Sequence, residues 1–249
     1  MNSVLLTGAS SGLGAALALA HARPGVTLHL SGRHTGRLDA VADACRDRGA
    51  EVFATALDVT DREAMADWVA CSEACRPLDL VIANAGISAG TGGGGESIGQ
   101  TRAIFAVNLD GVINTVMPAL EPMRRRRRGR IGIMSSLAGF RGFPGAPAYC
   151  ASKAAVRVWG EALRGELTAD GVSVSVICPG FVVTPMTAVN RFKMPFLMPV
   201  EPAAAIIRRG LEQGRGRIAF PWPMHVLARL SGCLPSRLMD MLAEKMPKK

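Results

Sequence analysis

Tyrosine is used once in 249 residues, beside three tryptophans and eight phenylalanines. So few stacking platforms argue against a nucleic-acid surface, although the net charge is +9. Much of that charge comes from one run, Arg124 to Arg128 followed by Arg130. Elsewhere the charges are mixed, and the run reads as a solvated surface loop in preference to a nucleic-acid or anionic-lipid site. The four histidines, His21, His29, His34 and His225, include no pair at the short spacing of a zinc site. The six cysteines are scattered; Cys71 and Cys75, one helical turn apart, come nearest to a motif. Buried or half-buried free thiols, no metal and a reducing, cytoplasmic setting are the expectation. The opening MNSVLLTGAS lacks the basic region, apolar core and cleavage site of a signal peptide. No apolar run approaches the roughly 20 residues that span a bilayer.

Short apolar runs rich in β-branched residues alternate with longer segments of helical period. The runs fall at 3–6, 26–30, 52–57, 78–83, 130–135, 172–178 and 217–220, and the helical patterns at 12–22, 37–48, 62–75, 100–123, 149–169 and 202–213. This alternation predicts an α/β fold, a doubly wound parallel sheet of about seven strands with helices on both faces. One domain over residues 1–220 with a helical extension at 221–249 suits the length. In such a sheet ligands sit at the carboxyl ends of the strands, so chemistry is sought in the loops there.

The first of those loops reads TGASSGLG, with Gly8, Gly12 and Gly14 between strand 1 and helix 1. Glycine permits the tight turn, lets a pyrophosphate approach the backbone and lets helix pack close on strand. Further along come NAG at Asn84, Ala85 and Gly86, a Ser-Ser pair followed by YCASK, and PGFVVT from Pro179. In order and approximate spacing these resemble the short-chain dehydrogenase/reductase family, over residues 7 to about 184. The resemblance implies a Rossmann-type domain that binds a nicotinamide cofactor through Gly8, Ser10, Ser11, Gly12, Leu13 and Gly14. It also implies contacts from Asp58 and Val59 to the adenine, support from Asn84, Ala85 and Gly86, and contacts from Pro179, Gly180, Val182 and Thr184 to the nicotinamide and phosphates.

An acidic residue after the second strand marks NAD, because it accepts from the ribose 2′-hydroxyl, whereas arginine favours NADP. No Asp or Glu occurs from Val26 to Leu38, and Arg33 follows Gly32 at the diagnostic place. NADP(H) is therefore expected in preference to NAD(H), with Arg37 or His34 nearby. The competing reading has Arg33 merely capping a surface turn.

The single tyrosine, Tyr149, precedes Lys153 by four residues on a predicted helix, so the two share a face. A phenol ionises near pH 10, and a neighbouring ammonium is expected to lower that value. Ser136 lies thirteen residues upstream, just past the fifth predicted strand. The family resemblance implies that Ser136 polarises a substrate carbonyl, that Tyr149 is the acid/base, and that Lys153 serves the ribose and the tyrosine. Asn108, in FAVNLDG, resembles the family's fourth catalytic member, which holds a water; by sequence alone it is equally a polar residue that bends a helix. Cys150 has no adjacent histidine to activate it and reads as packing.

Substrate identity is sought in residues 87–97, with their GTGGGG run, and in a Met-, Phe- and Pro-rich lid at 185–200. These features point to reduction of a lipophilic ketone, aldehyde or acyl group, or the reverse oxidation. The alternatives are a non-catalytic NADP(H)-sensing protein and a membrane-surface interaction protein. The tail reads as two amphipathic helices broken at Pro235, suited to a membrane surface, the substrate cleft or a subunit interface. The resemblance further implies a homodimer or homotetramer built on the long central helices.

Overall fold

A computed structural model describes residues 1–88, 95–190 and 192–235. Seven strands, β1 (Ser3–Thr7), β2 (Thr27–Gly32), β3 (Glu51–Ala56), β4 (Leu80–Ala83), β5 (Gly129–Met134), β6 (Val172–Pro179) and β7 (Arg217–Phe220), form one sheet in the order β3-β2-β1-β4-β5-β6-β7. Every neighbouring pair is parallel. Each connection must therefore cross over, and the helices that do so cover both faces. They are α1 (Gly12–His21), α2 (Thr35–Arg46), α3 (Arg62–Cys75), α4 (Ile98–Phe105), α5 (Gly111–Arg125), α6 (Pro147–Leu167), α7 (Pro185–Ala188), α8 (Val200–Glu212) and α9 (Trp222–Cys233).

Consecutive strand residues feed opposite layers. Leu6 joins Leu17, Leu30, Ile207 and Leu211 on one side, while its neighbour Leu5 joins Met65, Val116, Ile131 and Leu163 on the other. The order of strands turns at β1, which has β2 on one flank and β4 on the other. There the loops diverge and a crevice opens at the carboxyl ends.

Several boundaries differ from those expected. Helix α6 begins at Pro147, two residues before Tyr149, because proline suits the first turn. The segment expected as one helix over 100–123 is interrupted: α4 and α5 are joined by a π turn at Ala106–Asp110. Taken as one helical rod, Ile98–Arg125 is long and apolar enough to cross a bilayer, contrary to the expectation from sequence. Half of its apolar stretch is buried, with α4 against α6 and α5 against α3, as in a core helix. Cys71 and Cys75 lie on the exposed side of α3, also against expectation, whereas Cys45, Cys150 and Cys178 are buried.

The arginine run is not merely solvated. Arg124 meets Glu166 at 2.7 Å and Asp170 at 2.9 Å, Arg126 pairs with Glu73, Arg127 donates to the Ala169 carbonyl at 2.8 Å, and Arg128 meets Asp79 at 3.0 Å. Arg130 donates to the carbonyls of Leu211 and Glu212. The acidic partners come from α3, α6, the turn after α6 and the approach to β4, so their convergence is a product of the tertiary fold. The first helix of the tail is α9, ending before Pro235; the second expected helix lies outside the described residues.

His21, in the last turn of α1, is buried, and its Nε2 has no hydrogen-bond partner among the described residues. Burial, with Arg208 and Arg23 adding repulsion, pushes it down to about 4. The unfolded imidazole takes its proton near pH 6.5 and the folded one only near 4, so stability falls as pH drops through that window. The full loss is about 3 kcal/mol. His21→Leu should flatten the fall between pH 6.5 and 4 in denaturant titrations; an unchanged slope would assign the acid lability elsewhere.

Candidate active site

The glycine loop is shaped by close approach. Gly8 and Gly12 have φ of +68° and +54°, in the left-handed region where a side chain is strained. At Gly14 an added Cβ would stand 2.0 Å from the Gly8 carbonyl oxygen. Thr7 and Asn84 tie this loop to the one after β4. The Thr7 hydroxyl accepts from the amides of Asn84 at 3.1 Å and Ala85 at 3.2 Å, and Asn84 Nδ2 donates to the Thr7 carbonyl at 2.9 Å. Sequence reasoning misses Thr7, although it stands in the loop motif. Ser10, Ser11 and Leu13 line the resulting cleft of about 300 Å³, above the amino terminus of α1. Ser11 caps that helix without a side-chain hydrogen bond, and such a terminus suits a phosphate.

At the β2 end the cleft is lined by Gly32, Arg33, His34, Arg37, Asp58 and Val59. The Arg33 guanidinium, exposed, lies 3.9 Å from the half-buried Asp58 carboxylate. The Thr60 backbone N–H, with the Thr60 hydroxyl and Arg33 adding to it, holds Asp58 below the usual carboxylate range. Within β2 and the loop after it no acid is present, as the sequence required.

At the opposite end the two adjacent serines separate clearly. Ser135 Oγ donates to the Lys153 carbonyl at 2.7 Å and is committed to the fold. Ser136 Oγ accepts from the Ala138 amide at 3.1 Å, lies 3.5 Å from the Pro179 carbonyl oxygen, and is close enough to the Tyr149 side chain to favour its phenolate. Both Ser136 and Tyr149 line the cleft. Lys153 Nζ donates to the Met134 carbonyl at 2.8 Å and lies 5.9 Å from the centre of the Tyr149 ring.

The expected lowering of the phenol pKa is not found in this geometry. Burial raises Tyr149 above 10, more than the Ser136 hydroxyl lowers it. Burial also lowers Lys153 to about 8. The ammonium faces the Met134 carbonyl, and loss of water is the dominant effect on both groups.

Asn108 sits in the π turn, which carries its side chain away from α4 and α5. Its Oδ1 accepts from the Ile87 amide at 2.8 Å; its Nδ2 donates to the Ile87 carbonyl at 2.9 Å and to Ser152 Oγ at 3.1 Å. Ser152 donates in turn to the Tyr149 carbonyl at 2.8 Å. This link from Asn108 to the catalytic helix is invisible in the sequence, because serine at i+3 from the tyrosine resembles any helical serine. A Cβ at Gly86 would meet Asn108 Oδ1 at 3.2 Å and Lys153 Nζ at 3.3 Å, so Gly86 keeps that space open.

The wall beyond β6 is built by Pro179, Gly180, Val182 and Thr184, with Pro185, Met186 and Thr187 from α7. Met198 folds back on it: its amide donates to the Phe181 carbonyl at 3.0 Å, and its carbonyl accepts from the Val183 amide at 2.9 Å. Thr187, also missed by sequence reasoning, binds the Val182 carbonyl at 2.6 Å and the Thr184 amide at 3.0 Å. Cys150 is buried beside Tyr149, consistent with packing. A cradle closed to any Cβ, a helix amino terminus and arginines at the far rim together fit an extended, phosphate-bearing dinucleotide.

The sequence profile described as short chain dehydrogenase matches residues 2–194. An uncharacterized oxidoreductase from Myxococcus xanthus is 40% identical over 245 residues, covering 98% of this chain and 97% of that protein. Ketoacyl reductase HetN from Nostoc is 34% identical over 197 residues, 78% of this chain and 69% of the relative. Among solved structures, a short-chain dehydrogenase from Sphingobium yanoikuyae in complex with NADPH superposes with a TM-score of 0.82 at 26% identity, over 99% of this chain and 97% of that one. A short chain dehydrogenase from Mycobacterium paratuberculosis bound to NAD shares the fold, with a TM-score of 0.76 at 23% identity over 88% and 94% of the two chains. Local motif, sheet order and sequence relationship converge, and the chain belongs to the short-chain dehydrogenase/reductase family of NAD(P)(H)-binding oxidoreductases.

Proposed function

We propose that this protein is an NADPH-dependent reductase that converts the carbonyl of a lipophilic ketone, aldehyde or acyl derivative to an alcohol, or runs the reverse. The observation that carries the proposal is the convergence of Ser136, Tyr149 and Lys153 on the cleft that the glycine loop lines. When bound, the nicotinamide cofactor supplies the hydride to the carbonyl carbon. Ser136 holds the carbonyl oxygen, and Tyr149 delivers the phenolic proton to it as charge develops there. Lys153 compensates the phenolate that results, and Asn108, through Ser152, steadies the turn of α6 that carries both. Ile87, Val182 and Met186 give the cleft apolar walls for the substrate.

NADPH is favoured by the three basic side chains at the β2 rim, Arg33, His34 and Arg37. The Sphingobium neighbour in complex with NADPH agrees with this choice, whereas the Mycobacterium neighbour is bound to NAD, so the choice rests on the basic rim. Arg33→Ala should weaken NADPH binding about 10- to 100-fold, the worth of a charge-assisted contact, and leave NADH binding nearly unchanged. Calorimetric titration with both cofactors reads this directly; equal NADPH affinity in the variant would return Arg33 to the role of a surface residue. The reaction itself is tested by following NADPH consumption over a panel of ketones and aldehydes. Tight NADPH binding with no turnover across the panel would favour a nucleotide-sensing protein on the same fold. Assembly into a dimer or tetramer and residence in the cytoplasm are part of the proposal, the latter supported by six free thiols.

A further inference from the structure

Helix α6 carries Tyr149, Ser152 and Lys153, yet its own sequence starts it poorly. The N-cap is Ala146, which has no side-chain acceptor, and Pro147 at the first position has no N–H. The next amide is that of Ala148, and it donates to Glu96 Oε2 at 2.8 Å, across 52 residues of chain. Glu96 stands at the far end of the loop that comes after β4, the stretch in which substrate recognition is expected.

Glu96 is itself held firmly. It directly precedes Ser97, the N-cap of α4, where Ser97 Oγ accepts from the Gln100 amide at 3.2 Å and Gln100 Oε1 accepts from the Ser97 amide at 2.9 Å. Helices α4 and α6 pack on one another. Two helix starts are thus joined at one dipeptide: Ser97 caps the helix it begins, and Glu96 caps its neighbour. A carboxylate at a helix amino terminus also complements the dipole there.

Tyr149 is the third residue of α6, within the turn that frays first when a cap is lost. We propose that Glu96 is a positioning residue, which holds the first turn of the catalytic helix and so fixes the placement of the Tyr149 hydroxyl. This rests on the reading of Tyr149 as the acid/base, but its structural half can be measured without substrate or cofactor.

Because Tyr149 is the only tyrosine, its phenolate absorbance near 295 nm reports one residue. In the full-length protein the phenol should titrate above its ordinary value of about 10. Glu96→Ala should bring the midpoint down towards 10, as the first turn opens to water, and lower kcat roughly tenfold or more with NADPH affinity unchanged. Glu96→Gln keeps an acceptor at the same reach and should restore both; Glu96→Asp, one methylene shorter, should behave like the alanine variant. A midpoint identical in wild type and Glu96→Ala overturns the proposal, as does a glutamine variant that rescues neither readout. If Glu96→Ala does not fold, the comparison of Gln with Asp carries the same test. Should the wild type turn over no carbonyl at all, the function proposed above fails while the absorbance titration still decides the role of Glu96.

Discussion

Tyr149→Phe is expected to lower kcat by about 10²- to 10⁴-fold, the usual worth of a positioned general acid, with NADPH affinity and folding nearly unchanged. Phenylalanine keeps the ring in its place between Ser136 and the Lys153 side, so the walls of the cleft stay as they are. What disappears is one hydroxyl, the proton donor to the carbonyl oxygen and the neighbour of Ser136. Loss of a single hydrogen bond alone is worth about 1 kcal/mol, less than tenfold, so the size of the effect separates chemistry from packing. Single-turnover measurements with saturating NADPH would isolate the chemical step. A variant with more than a tenth of wild-type kcat would remove Tyr149 from the reaction and leave Ser136 or a water as the donor.

Gly14→Ala should damage both stability and cofactor binding. The new methyl carbon would stand 2.0 Å from the Gly8 carbonyl oxygen and 2.7 Å from Asn84 Nδ2, and the first of these is backbone that has no rotamer to escape into. Either the loop or the start of α1 must move. Overpacking of this kind costs roughly 1–3 kcal/mol, which in a domain of this size lowers Tm by about 2–10 °C. NADPH affinity should fall by more than tenfold, because the displaced oxygen and amide shape the pyrophosphate seat and Asn84 links it to β4. Gly36→Ala is the control: it has nothing within 4 Å of the added carbon, and it should leave NADPH affinity unchanged and should not lower Tm. Wild-type Tm and NADPH affinity in Gly14→Ala would show that the cradle is more compliant than its geometry implies.

Much of the fold is readable because strand and helix periods alternate cleanly, and because the buried β1 and β2 are apolar throughout enough of their length to stand out. The reaction centre is readable for a local reason: Tyr149 and Lys153 share a helix, and Ser136 lies two residues past the end of the preceding strand. What escapes depends on contacts between distant segments. Thr7 supports Asn84, Ser152 takes a hydrogen bond from Asn108, and Glu96 reaches Ala148, each across 44 to 78 residues. Threonine, serine and glutamate in those places carry no local sign of such partners. The arginine run misleads for the same reason, since Glu73, Asp79, Glu166 and Asp170 meet it only after folding. Desolvation is the other blind spot: i,i+4 spacing shows that an ammonium and a phenol are neighbours, and nothing in it shows that burial dominates both.

The π turn at Ala106–Asp110 gives the site a dependence on chain length as well as on residue identity. A π turn is a regular helix with one residue too many, and that surplus rotates the next helical segment by about 100°. Deleting a single residue there would satisfy the helical repeat better and yet swing α4 out of phase with α5, parting Asn108 from Ile87 or from Ser152. Variation by insertion and deletion, harmless in most of the surface, is thereby closed to this stretch, whose Val107 and Leu109 are held in addition by the core.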